Sequence, residues 1–158
     1  MRKGISEKPD IHGTQMNAGG RPAKKLAIVA CMDARLDPVK VLGLELGDAH
    51  VIRNAGGVIT DDEIRSLAIS QNLLGTEDIA VVHHTDCGML KFTDEAFKRQ
   101  LEEEFGHRPE WDPGAFDDLE ANLRESIERI KASPFLPNKH SIRGYIYEVG
   151  TGKLREVN

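Results

Sequence analysis

The sequence predicts an α/β fold: a mostly parallel central sheet with flanking helices and an antiparallel hairpin at its C-terminal edge. Three observations carry that expectation. Short apolar runs, each brief enough for a buried strand, recur at 26–30, 50–53 and 78–83. Helix-start signals fall between them, at Asp37-Pro38 and at Thr60-Asp61-Asp62-Glu63. Strands that alternate with helices pair in parallel through right-handed crossovers. Finally, 142–149 and 153–157 flank Gly150-Thr151-Gly152, a hairpin signature.

A chain of 158 residues, 39% hydrophobic and 30% charged, is long enough for one domain with a real core. Residues 1–24 are polar, with scattered glycine and proline, and show no period. They are expected to form a flexible N-terminal arm, and 25–158 a single domain. A formal net charge of -5 with no basic block argues against a nucleic-acid surface. No apolar run approaches the length of a bilayer span, and Met1-Arg2-Lys3-Gly4 does not open a signal peptide. The expected location is cytoplasmic. Two cysteines in such a chain read as ligands, nucleophiles or core thiols rather than a disulfide framework.

Along the chain, Asp37 caps a helix that carries Val41, Leu42 and Leu44 and runs to Gly47. The second strand leads into Asn54-Ala55-Gly56-Gly57, a turn where glycine lets the backbone approach a neighbour closely. A capping box at Thr60 starts a helix with Ile64, Leu67, Ala68 and Leu74 on one face, ended by Gly75. Thr93 caps another helix, with Phe92 and Phe97 at hydrophobic-staple spacing. Loop chemistry follows over 106–114. Leu119, Leu123, Ile127 and Ile130 then mark a last helix before Pro134.

The chemistry gathers at two strand ends, the edge where open α/β sheets collect ligands. Cys31 follows the first strand, and His84-x-x-Cys87 follows the third. Two thiolates and one imidazole suit zinc and leave one position open, as catalytic sites do. The plainer reading is two core thiols and a surface histidine. Asp33 and Arg35 stand beside Cys31, and Arg35 can hold the carboxylate ionised in a bidentate pair. Asp33 can alternatively serve as a fourth ligand, closing the site.

Cys31-x-Asp33-x-Arg35, Gly47-Asp48 with the run 51–56, and His84-Thr85-x-Cys87-Gly88 together resemble the β-class carbonic anhydrases, in their order and spacing. The resemblance is close over 26–90 and looser beyond. It implies a zinc lyase, a carbonate dehydratase, that interconverts carbon dioxide and bicarbonate by a zinc-bound hydroxide. It assigns Zn2+ to Cys31, His84 and Cys87, a catalytic dyad to Asp33 and Arg35, and a substrate-facing backbone donor to Gly88. It also implies a homodimer or tetramer. Ala34, His83 and Thr85 stand where plant-like members have serine, glycine and serine. These features resemble a short bacterial branch similar to the carbonyl sulfide hydrolases, so carbonyl sulfide is the alternative substrate. A non-enzymatic zinc or thiol sensor is the alternative from another class. With two thiolates on the ion, bound water should be less acidic than in an all-histidine site, so activity should rise toward alkaline pH. His50 and His83 are candidates for moving protons, set against plain structural roles. Arg53 and Asn54 are expected to organise the turn, Asp48 to meet an arginine or solvent, and Asp86 to face solvent.

Overall fold

The two central parallel strands are buried runs rich in isoleucine and valine that end in charged turns at one edge of the sheet. The computed structural model describes residues 19–158; most of the expected arm lies outside them. The strands are β1 (Leu26–Cys31), β2 (Ala49–Asn54), β3 (Asp78–His84), β4 (Ile142–Glu148) and β5 (Lys153–Val157). They form one sheet in the order β2-β1-β3-β4-β5. Only β4 and β5 pair antiparallel. Register places Cys31 opposite Asn54 and His84 opposite Tyr147, so the carboxyl ends of four strands share one edge.

The helices are α1 (Pro38–Val41), α2 (Asp61–Leu74), α3 (Asp94–Phe105) and α4 (Leu119–Ala132). The sequence over-extends α1. It is a single turn, because Gly43 takes a left-handed φ of 67° and Leu44 N–H folds back to the Val39 carbonyl at 2.8 Å. Leu42 and Leu44 still pack on the core, so their spacing serves packing rather than helix. The Thr60 capping box forms as expected, and Gly75 ends α2 at φ 77°. Thr93 caps α3 while the Phe92 and Phe97 rings meet at 5.5 Å.

Alternation along β1 and β3 divides the core. Ala27, Val29, Ile79 and Val81 face α2 and α4 through Leu67, Leu123 and Ile130. A Cβ at Gly144 would lie 2.8 Å from Ile127 Cδ1, so α4 sits directly on β4. Ile28, Ala30, Ala80 and Val82 face the other way, against Leu36 and Met89. No helix among the described residues is long and apolar enough to cross a membrane.

Candidate metal centre

β1 delivers Cys31 and β3 delivers His84 to the same edge, and the turn after β3 brings Cys87 back beside them. All three are buried. One ligand atom from each lies within 4.8 Å of the others. The two sulfurs are 3.9 Å apart, and both cysteines are free. The glycine turn explains how β1 is held there. Gly57, at φ 65°, lies so near that a Cβ would sit 2.9 Å from Cys31 N and 3.0 Å from Ala30 C. That is the close approach expected from the sequence.

The imidazole is oriented as a ligand must be. His84 Nδ1 lies 2.8 Å from the Thr85 carbonyl, which can only accept, so Nδ1 carries the proton. Nε2 is then a lone pair, buried and without a hydrogen-bond partner among the described residues. Beside it the two thiols are within hydrogen-bonding reach of each other. The contact with Cys87 pulls the Cys31 thiol below its ordinary range, helped by His84 and by the backbone N–H groups of Asp33 and Gly56. The same contact pushes Cys87 up, and burial adds to it.

Asp33 stands over this set, with Oδ2 3.7 Å from His84 Nε2. Arg35 Nε donates to Oδ1 at 3.0 Å and Nη2 to Oδ2 at 2.8 Å, the bidentate pair expected. These bonds, then the Arg35 backbone N–H at 2.9 Å, hold the carboxyl well below the usual carboxylate range.

The family model for carbonic anhydrase matches residues 26–112. The β-carbonic anhydrase 1 of Mycobacterium tuberculosis is 57% identical over 136 residues, which is 86% of this chain and 83% of the relative. The chain belongs to the β-carbonic anhydrase family. A carbonic anhydrase structure from Streptococcus mutans superposes with a TM-score of 0.84 at 49% identity, covering 88% of this chain and 84% of that one. A carbon disulfide hydrolase from Saccharolobus solfataricus is 38% identical over 157 residues, covering 84% of this chain and 77% of the relative.

β-Carbonic anhydrases are zinc enzymes, and this donor set fits the ion. Two soft sulfurs and an orphaned, correctly tautomeric nitrogen are what zinc takes, with a fourth position left over. An all-core reading of the same residues would strand the buried Nε2 without a partner, at a cost of about 1–3 kcal/mol.

Around the centre, some expectations hold and others change. Arg53 does organise the turn: its Nη2 donates to the carbonyls of Cys31 (2.8 Å), Asp33 (2.9 Å) and Leu36 (2.8 Å). Asn54 Nδ2 ties the Val58 carbonyl at 2.7 Å. Among the described residues Asp48 meets no arginine; it accepts from Glu45 N–H at 3.0 Å in its own turn. His83 is fully buried, stacked on Phe116 at 5.8 Å and bonded to Asn122 Oδ1 at 2.8 Å, and burial lowers its pKa. His50 lies near the amino end of β2, paired with Ala27, far along the sheet from Cys31. Neither imidazole reaches from the site to bulk water. Asp86, expected in solvent, is half-exposed but engaged, 2.9 Å from Arg35 and 2.8 Å from Lys91. Lys91, then Arg35, holds its carboxyl down at about 2. The signal available for this contact was an acid placed between two ligands, opposite a guanidinium on the other loop.

Proposed function

We propose that this β-carbonic anhydrase catalyses the reversible hydration of carbon dioxide to bicarbonate, with zinc held by Cys31 Sγ, His84 Nε2 and Cys87 Sγ. The observation that carries the reading is the cluster of three buried donor atoms within 4.8 Å, with an arginine-held carboxylate beside it. Zinc bound there supplies a Lewis acid that makes water a nucleophile near neutral pH. The chain's own residues do the rest. Asp33, kept ionised by Arg35, accepts the hydrogen bond of the attacking O–H and so aims its lone pair at the substrate carbon. Both carboxylate oxygens are engaged by Arg35, which supports an open site with Asp33 held off the metal rather than a closed one. Gly88 offers its backbone N–H to a substrate oxygen. A Cβ built there would meet nothing within 4 Å, so the chain leaves room for a small ligand.

Around this chemistry we read one catalytic domain over 25–158, since strands from Leu26 to Val157 share a sheet. A homodimer or tetramer is the assembly proposed. Met32, next to the ligand Cys31, and Leu73 are exposed apolar side chains that such an assembly could cover. Two unpaired cysteines fit a reducing cytoplasm.

The second reading is hydrolysis of a sulfur analogue of carbon dioxide. Carbonyl sulfide is the substrate the motifs suggest, whereas the named relative is a carbon disulfide hydrolase at 38% identity. The anhydrase relative is much nearer at 57%. Stopped-flow hydration of carbon dioxide, run beside sulfide release from carbonyl sulfide and carbon disulfide on protein of measured zinc content, separates them. Fast hydration with negligible sulfide release is expected. Sulfide release without hydration reverses the assignment, and zinc without either activity supports a sensor.

A further inference from the structure

Arg35 has two faces, and the dyad with Asp33 uses only one. Its Nη1 donates to Asp86 Oδ2 at 2.9 Å, and its Nη2 donates to the Asp86 carbonyl at 3.0 Å. Asp86 lies between His84 and Cys87, on the other ligand loop. It takes a left-handed φ of 53°, which aspartate and asparagine tolerate better than most side chains. Lys91 Nζ meets its second oxygen at 2.8 Å. The guanidinium therefore bridges the loop after β1 to the loop after β3. We infer that Asp86, backed by Lys91, is a positioning residue that locks Arg35, and through it Asp33, to the loop carrying two of the metal ligands.

The physical case rests on geometry rather than on ion-pair strength. Asp86 and Arg35 are 53% and 48% exposed, and ion pairs that open to water contribute little to stability. A planar guanidinium bonded along both edges, however, has few orientations left. With the Asp86 side chain gone, Arg35 keeps only the Asp86 carbonyl on that side and can swing about that single bond, taking the Asp33 carboxylate with it. A catalytic carboxylate misplaced by an ångström is costly even when the fold is intact. The consequence is a defect in turnover rather than in substrate affinity. Asp86→Ala also strains the left-handed backbone and should lower the melting temperature slightly, which Asp86→Asn should not. Asp86→Asn keeps one acceptor oxygen for Arg35 and the left-handed backbone while giving up Lys91, so it retains most of the lock on Arg35.

The inference rests on the proposed hydration, and the test separates the two. Carbon dioxide hydration is measured on zinc-loaded wild type, Asp86→Ala, Asp86→Asn, Arg35→Ala and the double variant Asp86→Ala with Arg35→Ala. The visible spectra of the cobalt(II)-substituted proteins are recorded in parallel. Expected is a fall in kcat of about five- to tenfold for Asp86→Ala with KM and zinc content unchanged, mostly restored in Asp86→Asn. In the Arg35→Ala background the same change should cost nothing further. The Asp86→Ala cobalt spectrum should move toward that of Arg35→Ala. An equal fold-loss in both backgrounds, or wild-type kcat and spectrum in Asp86→Ala, overturns the role. If wild type hydrates no carbon dioxide, the proposed function fails, while the cobalt spectra still decide whether Asp86 positions the dyad.

Discussion

His84 and His50 sit toward opposite ends of the same parallel sheet, and the contrast between them separates a ligand from a brace. His50 spends both nitrogens: Nδ1 lies 2.7 Å from Ser70 Oγ and Nε2 lies 2.7 Å from the Gly20 carbonyl. Ser70 in turn meets Thr76 Oγ1 at 2.7 Å, completing a closed polar chain. His84 spends only Nδ1, and its buried Nε2 faces two sulfurs. An orphaned nitrogen alone does not mark a ligand, since His83 Nδ1 is also buried without a partner among the described residues. What sets His84 apart is that its spare nitrogen lies with two sulfurs, whereas His50, with both nitrogens satisfied, is finished. Residue type alone cannot distinguish the two. The partners can.

The sharpest way to break this contrast is to remove the unfinished side. His84→Ala or Cys87→Ser should abolish zinc retention and lower hydration by at least about a thousandfold. Retained stoichiometric zinc in either variant would break the ligand assignment. Next in size, Asp33→Ala should keep zinc, since the carboxylate is tied to Arg35, yet lose about 10²–10⁴-fold in turnover. Normal turnover there removes Asp33 from the mechanism. The wild-type pH profile sharpens the same point. Because Arg35 holds the Asp33 pKa far down, Asp33 stays ionised throughout the working range, and the rate should rise toward alkaline pH from a different group. The linkage to stability has the opposite limit: a depressed carboxyl contributes above its unfolded pKa and loses that contribution as pH falls. Asp33→Asn should thus lower stability at neutral and alkaline pH, leave it nearly unchanged in strong acid, and so flatten the acid limb.

The elements of the fold were legible where local chemistry decides them. The Thr60 capping box, the Thr93 cap and the strand-end ligands each follow from a few adjacent residues. The helical spacing of Leu42 and Leu44 suggests a longer α1 than forms, because Gly43 turns the chain to bring both to the core. The Arg35–Asp86 contact was hidden because it joins loops 51 residues apart and needs Asp86 in a left-handed conformation. What Arg53 grips was hidden for another reason. Its targets are backbone carbonyls, whose directions no side-chain pattern encodes.

A smaller effect tests how tightly the ligand end is built. Gly57→Ala puts a methyl against the backbone of Ala30 and Cys31 at a left-handed φ, where nothing flexible can yield. It should cost about 2–4 kcal/mol in unfolding free energy and loosen zinc by displacing Cys31. A neutral melting temperature would show that β1 and the glycine turn can separate without consequence.

The smallest expected effect lies at the finished histidine. His50→Ala leaves Ser70 still paired with Thr76, and the Gly20 carbonyl lies in an exposed segment that water can reach. The loss should therefore be about 1 kcal/mol of stability, the net worth of an ordinary hydrogen bond. Zinc content and kcat should match wild type, because His50 lies near the sheet's amino end while the ligands occupy its carboxyl end. A proton path through His50 predicts something else: kcat falling severalfold at low buffer and recovering when imidazole buffer is added. Chemical rescue of that kind, with stability unchanged, would overturn the distinction between the two histidines. Its absence, together with a lowered melting temperature, leaves His50 as a brace that ties the start of the described chain to α2.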